Sequence, residues 1–324
     1  MEIKPEIAER IIKLEEKFKN SGQDMGSYLD GLLYDRYLSY WDYIEVDTLL
    51  SLQKTNTHFP DEMIFITYHQ ITELYFKLII HEQKQIIESA TLTPSFFIEK
   101  LNRINRYFRI LIDSFDVMIK GMEREQFLKF RMALLPASGF QSAQFRMIEL
   151  YSTPLENLVS ADIREDFSEE NSPEELYEHI YWKKGGIDLE TGEKTLTLKQ
   201  FEKRYTPRFL RIANGVYGNT IYHRYLKMHE EDRNNETLVQ AMRNLDVNVN
   251  INWLLMHMGA AYRYLSKDKT TVKATGGTNW KKFLPPSFQR ISFFPELWSE
   301  QEKEDWGKQW VNHTFNTENK KQEN

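Results

Sequence analysis

Apolar residues recur every three to four positions over long stretches of this chain, the period of helices buried along one face. Between about Pro5 and Asn20, Ile7, Ile11, Ile12, Leu14 and Phe18 form one stripe, which predicts an N-terminal helix. A longer helix is predicted from Pro60 to about Ser89, with Asp61 and Glu62 in its first turn, where carboxylates meet the positive end of the helix dipole. Thr93-Pro94 reads as an N-cap followed by a first-turn proline, opening a helix from about Ser95 to Met122. Ser172-Pro173-Glu174-Glu175 has the form of a capping box ahead of Leu176 and Tyr177. Another long helix is predicted from Asn235 to about Leu265. The period changes between Lys183 and Leu198. There Gly185-Gly186 and Glu190-Thr191-Gly192 bracket Ile187, Leu189, Leu196 and Leu198, which predicts one small β-hairpin near 185–198. The tail after Phe315 is polar and charged, so 316–324 is expected to be disordered. No repeat or linker divides the rest, and residues 1–324 read as a single, mainly helical domain of the all-α class.

Composition narrows the chemistry. Only 14 glycines and 10 prolines punctuate 324 residues, as long helices require. Cysteine is absent, which excludes disulfides, thiolate metal sites, Fe–S clusters and thiol catalysis, and fits a reducing cytoplasm. The net charge of -6 comes from interspersed acids and bases with no basic patch, so nucleic acid is not an expected partner. No run approaches the roughly 18 apolar residues of a membrane span. Met1 to Gln23 is charged throughout, unlike a signal peptide.

Three places carry candidate chemistry. Arg131 precedes the small-residue loop Pro136-Ala137-Ser138-Gly139, which allows close approach by a ligand or a neighbouring chain, with the arginine as a fork for a carboxylate. Glu123, Glu125 and Lys129 leave a surface salt bridge open as the alternative for Arg131. Phe65, His69, Thr72 and Phe76 share one helix face, the arrangement of a pocket wall with one polar group or of a core histidine bonded to a carbonyl. His257 stands on an apolar helix beside Gly259, Ala260 and Ala261, where small residues permit a flat macrocycle to approach; a satisfied core histidine fits equally. The eight histidines show no multi-histidine metal spacing, whereas a haem needs a single axial histidine. Tyr34, Tyr37, Tyr40 and Tyr43, spaced by three, read as a buried aromatic stripe.

Several motifs resemble, in order, those of the tryptophan 2,3-dioxygenase family. They are Tyr40-Trp41-Asp42-Tyr43 through Gln53, Asp61-Glu62 through His69-Gln70, Arg106 through Val117, Phe130 through Arg146, and Ala274-Thr275-Gly276-Gly277-Thr278. The resemblance is strong over about 34–150, weaker over 254–284, and slight between. Tyr75 and Phe108 stand where the family usually has tryptophan, Ala274 replaces a glycine, and the spacing from His257 to Thr275 is a few residues longer.

The resemblance implies a large helical haem-binding domain that uses ferrous haem b and O2. It implies insertion of both oxygen atoms across the indole C2–C3 bond of L-tryptophan, giving N-formyl-L-kynurenine, the first step of the kynurenine pathway. His257 matches the axial ligand and Phe108 lies on the haem-side helix. His69 matches the distal histidine that accepts the indole N–H, and Phe65 packs on the substrate ring. Arg131 holds the carboxylate, Thr275 the ammonium and carboxylate, with Ser138 and Gly139 in the loop beside them. Tyr40 and Tyr43 match tyrosines that complete a neighbouring subunit's pocket in a homotetramer, a dimer of dimers. The departures leave open a related haem enzyme that hydroxylates aromatic amino acids. A helical binding protein without chemistry is the third reading.

Overall fold

The computed structural model describes residues 3–34, 38–133, 139–168, 170–188, 191–267, 270–271 and 285–308. The chain gathers into two compact units, Met1–Lys54 and Thr55–Asn324. The first unit holds α1 (Pro5–Asn20), α2 (Met25–Tyr34), α3 (Tyr40–Tyr43) and α4 (Val46–Leu50). Helix α1 has the predicted bounds, and Phe18 and Tyr28 tie it to α2 with ring centroids 4.9 Å apart. None of these four helices buries a residue. Tyr34, Tyr40 and Tyr43 are 83%, 74% and 76% exposed, so the expected buried stripe is an outward-facing one; Tyr37 lies outside the described residues.

The second unit is built on α5 (Asp61–Glu88), which runs along α6 (Pro94–Ser114). The two acids at the start of α5 are buried and committed. Glu62 accepts the backbone N–H groups of Asn56 (2.9 Å) and Thr57 (2.7 Å) and the Thr57 hydroxyl (2.6 Å), while Asp61 accepts the Glu123 N–H at 2.6 Å. Thr93 caps α6 as expected, its side chain accepting from the Phe96 N–H. That helix stops at Ser114, short of the expected Met122, and α7 (Asp116–Lys120) continues after Phe115. Gly121 ends α7 where a Cβ would lie 2.4 Å from the Val117 carbonyl oxygen, so a larger residue is barred by contact. Next come α8 (Arg124–Phe130), α9 (Ala143–Ser152) and α10 (Pro173–Glu178), the last capped by the Ser172 side chain.

Around 185–198 the structure departs from the expected hairpin. The chain does double back, but with one isolated bridge, Ile187 to Lys194, rather than a ladder. Residues Tyr181–Gly186 form a 3-10 turn, and Leu196 and Leu198 belong to α11 (Leu196–Gly215), whose N-cap is Thr195. A threonine cap and a buried Leu198 face outweigh the local alternation. Among the described residues the paired strands are β1 (Ser266–Lys267) and β2 (Thr270–Thr271).

Helices α12 (Ile221–Leu226), α13 (Glu230–Arg233), α14 (Glu236–Val247) and α15 (Trp253–Leu265) complete the framework. The expected helix from Asn235 to Leu265 is present, with Asn235 as its cap, but a π turn over Asn248–Asn252 separates α14 from α15. Helix α9 packs on α5 and α11, α14 on α6, and α15 on α6, α7 and α8. Phe76, Phe108, Phe145 and Trp253 interlock at the centre, with the Phe76 ring 5.6 Å from both Phe145 and Trp253. Each such fully buried aromatic contributes on the order of 1.5–3 kcal/mol relative to exposure.

Candidate functional site

The predicted α5 face exists. Thr72 and Phe76 are buried, and the Phe65 and His69 rings lie 4.1 Å apart. Phe65 also meets Phe130 at 5.6 Å and Phe127 at 6.2 Å, which joins α5 to the end of α8. His69 Nδ1 lies 2.7 Å from the Phe65 carbonyl oxygen. A carbonyl only accepts, so Nδ1–H donates and Nε2 carries the available lone pair. Part of the ring is solvent-accessible, yet burial lowers its pKa below the usual histidine value. By surface area His69 is exposed, with Tyr68 edge-on to it at 5.8 Å.

His257 repeats this arrangement on α15. Its Nδ1 lies 3.0 Å from the Trp253 carbonyl oxygen, again leaving Nε2 as the acceptor. The ring is held edge-on between Phe115 (4.8 Å) and Trp253 (4.7 Å). Burial pulls its pKa down to about 4, and the charges of His69 and Arg146 act in the same direction. Tyr68 lies 5.8 Å from His69 and 6.0 Å from Phe115, which meets His257, so two rings connect the His69 stretch of α5 to His257 on α15. A Cβ at Gly259 would meet only Ile119 Cδ1, at 3.6 Å, so α15 has room on that side.

Arg131 sits in a 3-10 turn, Arg131–Ala133, directly after Phe130, and is 6% exposed. Burial lowers its pKa from the usual arginine value, as expected where a guanidinium is partly desolvated. Gly139 begins the 3-10 turn Gly139–Gln141. The chain leaving that turn is tied to α5 one turn from His69: Ser142 donates to Glu73 at 2.6 Å, and Gln144 donates to the Glu73 carbonyl oxygen (2.7 Å) and carboxylate (2.8 Å). Glu73 in turn favours the protonated form of His69. Phe108 is fully buried against Phe76 (6.3 Å) and Trp253 (6.5 Å), one ring behind His257. Ser138 and Thr275 lie outside the described residues. Tyr40 and Tyr43 are on α3 of the first unit.

Two features were not anticipated from the sequence. Arg146, Glu149 and Tyr181 form a buried network: Arg146 Nη1 lies 3.1 Å from Glu149 Oε2 and donates to the Tyr181 hydroxyl at 3.1 Å, and that hydroxyl donates to Glu149 Oε1 at 2.5 Å. Arg146 also covers the Phe145 ring at 4.6 Å. Its charge reaches His257. The available signal was the i, i+3 spacing of opposite charges in an apolar stretch, but Tyr181 is too distant in sequence to read. The second feature is the π turn just before Trp253.

These residues fit a haem with one axial histidine. His257 offers a neutral, oriented Nε2 between the Phe115 and Trp253 rings, and Gly259 leaves space beside the helix. Among the described residues no group of three histidine, aspartate or glutamate side chains converges into a metal site. Fold and site together define an all-α protein in which two imidazoles with committed tautomers, one on α5 and one on α15, are linked through aromatic rings.

Comparison with known proteins places that class. A family profile described as tryptophan 2,3-dioxygenase matches residues 32–178. A protein of that name from Geobacillus thermodenitrificans is 30% identical over 277 residues, 82% of this chain and 92% of that protein. Another from Ruegeria is 28% identical over 276 residues, 81% of this chain and 91% of its own length. One from Bacillus thuringiensis is 41% identical over 123 residues, a match that spans 43% of that relative's length. The chain belongs to the tryptophan 2,3-dioxygenase family.

Proposed function

We propose that the protein is a tryptophan 2,3-dioxygenase that converts L-tryptophan and O2 to N-formyl-L-kynurenine, the first step of tryptophan degradation by the kynurenine pathway. The observation that carries this reading is the pair His69 and His257, each with Nδ1 tied to its own helix and Nε2 left as an acceptor, joined through the Tyr68 and Phe115 rings. Haem b, when bound through His257, supplies the ferrous iron that activates O2 for insertion of both oxygen atoms across the indole C2–C3 bond.

The chain's own residues select and hold the substrate. His69 Nε2 accepts the indole N–H, and Phe65 stacks on the ring. An analogue lacking that N–H strands a desolvated acceptor, at a cost of about 1–3 kcal/mol. Arg131 takes the carboxylate with its two-pronged donor set. Thr275 takes the ammonium and carboxylate, and Ser138 and Gly139 line the loop beside them. Phe108 supports the haem side through Trp253. The enzyme works as a homotetramer in the cytoplasm, with Tyr40 and Tyr43 contributed to a neighbouring subunit.

The test is a visible spectrum of the haem-supplemented, reduced protein, followed by L-tryptophan, air and mass analysis of the product. A Soret band and a gain of two oxygen atoms are expected. A gain of one oxygen atom moves the assignment to an aromatic amino acid hydroxylase of the same superfamily. A protein that takes up no haem is a helical binding protein instead, and the site roles fail together.

A further inference from the structure

The π turn before the haem-ligand helix is held by polar side chains that nothing in the proposed reaction uses. Residues Asp246, Asn248, Asn250 and Asn252 alternate with Val247, Val249 and Ile251, a period of two inside a helix. In the structure the polar residues form two ladders on different sides of the turn. On one side Asn252 donates to Asn248 (3.2 Å), Asn248 donates to Asn105 of α6 (3.0 Å), and Asn105 donates to the Ala241 carbonyl oxygen (2.8 Å). On the other, Asn250 donates to Asp246 at 2.7 Å. Asp246 also accepts from Ser292 (2.8 Å), the Trp298 indole (2.9 Å) and the backbone N–H groups of Phe293 (2.7 Å) and Phe294 (3.2 Å). Asn105, Asp246, Asn248 and Asn250 are all buried. Four buried polar residues cost desolvation unless each finds partners, and an all-apolar helix would avoid that cost.

The geometry gives these groups a purpose. An α-helix turns about 100° per residue, so about eighteen residues return a side chain to the same direction. Leu238, fully buried on α14, and His257 are nineteen positions apart. In an unbroken α-helix His257 would therefore point about 100° away from the line that Leu238 sets. A π turn takes up one additional residue and cancels that offset. It is followed at once by Trp253, whose carbonyl fixes the His257 tautomer.

We propose that the Asn105–Asn248–Asn252 ladder and the Asp246 cluster hold the π turn open in order to set the rotational phase of His257, which makes Asn248 and Asn105 positioning residues for the axial ligand. The inference rests on His257 as that ligand. Its prediction runs against ordinary structural damage. Asn248→Leu keeps the chain length but removes both amide bonds, so the turn loosens and His257 loses its alignment. Deleting Asn248 removes the same bonds but also the additional residue, so the turn closes as an α-helix with His257 in its original phase.

The experiment measures haem release to apomyoglobin and the ferrous Fe–His stretching band by resonance Raman on full-length, haem-loaded protein. Asn248→Leu is expected to release haem about 10-fold or more faster with a broadened Fe–His band, the size of effect seen when a ligand's supporting shell is lost. The Asn248 deletion is expected to retain the wild-type band and a release rate within about 3-fold of wild type. Asn105→Leu should reproduce the substitution's spectral change from a different helix. Unchanged release in Asn248→Leu, or a deletion more damaging than the substitution, overturns the proposal. A wild-type Fe–His band surviving in His257→Ala would instead overturn the ligand assignment itself, and the positioning role with it.

Discussion

At the scale of residues, the decisive fact is where each imidazole commits one nitrogen. His69 and His257 both donate Nδ1–H to the carbonyl four residues back, the local bond any helical histidine can make. The sequence placed both on apolar faces, and it left the satisfied core histidine and the functional ligand as rival readings. The structure shows that one ring nitrogen is satisfied and the other available, so the readings are compatible. The pH consequence follows from burial. With His257 near pKa 4 folded and about 6.5 unfolded, the unfolded chain binds a proton between those limits that the native state does not. The stability of the haem-free protein is then complete above pH 6.5 and declines as pH falls toward 4. Thermal midpoints from pH 7 to 5 should fall more steeply for wild type than for His257→Ala; parallel curves would count against the depressed pKa. Arg131→Ala should leave haem content unchanged and lower kcat/KM by about 2–5 kcal/mol, roughly 30- to 5000-fold, as steady-state kinetics would show. Loss of haem in that variant would make Arg131 a structural residue.

At the scale of elements, capping chemistry was the most legible signal. Thr93, Ser172 and Asn235 each accept from the predicted helix start, because a short polar side chain satisfies an orphan backbone N–H without tertiary help. Interruptions were less legible. The π turn at Asn248–Asn252 depends on Asn105, more than a hundred residues earlier, and the apparent hairpin near 185–198 gave way to a helix once Thr195 capped it. Asp246 shows how far one residue can organise an element. Its carboxylate takes five donors, four of them from 292–298, and burial pushes its pKa up against them. Asp246→Ala strands the Trp298 indole N–H and two backbone N–H groups, each at about 1–3 kcal/mol. A thermal midpoint lowered by at least several degrees, with faster amide exchange over 291–298, is expected. A wild-type midpoint would mean water replaces the carboxylate.

At the scale of the whole molecule, the first unit poses the question. Its four helices bury no residue, and Ile7, Ile12, Leu33, Tyr34, Tyr40, Trp41 and Tyr43 are exposed. A 16-residue helix is marginal in water without an apolar face to cover, and exposed apolar surface on this scale marks an interaction site. The proposed homotetramer predicts a native mass about four times the 38.8 kDa chain by light scattering. It also predicts that a Tyr40→Ala, Tyr43→Ala double variant has weaker tryptophan use with unchanged haem content. A monomeric native mass would remove the shared-pocket role of both tyrosines.

Helix class, helix starts and the absence of thiol chemistry came from the sequence itself, because period, capping and composition act over a few neighbouring residues, whereas Phe65, His69, Arg131 and His257 were set apart from ordinary core and surface residues by the resemblance of their motifs. The link from His69 to His257 through Tyr68 and Phe115, the Arg146–Glu149–Tyr181 network and the rotational phase of His257 were decided by tertiary structure. Each depends on groups far apart in the chain whose partners are chosen by packing, and no local pattern records that choice.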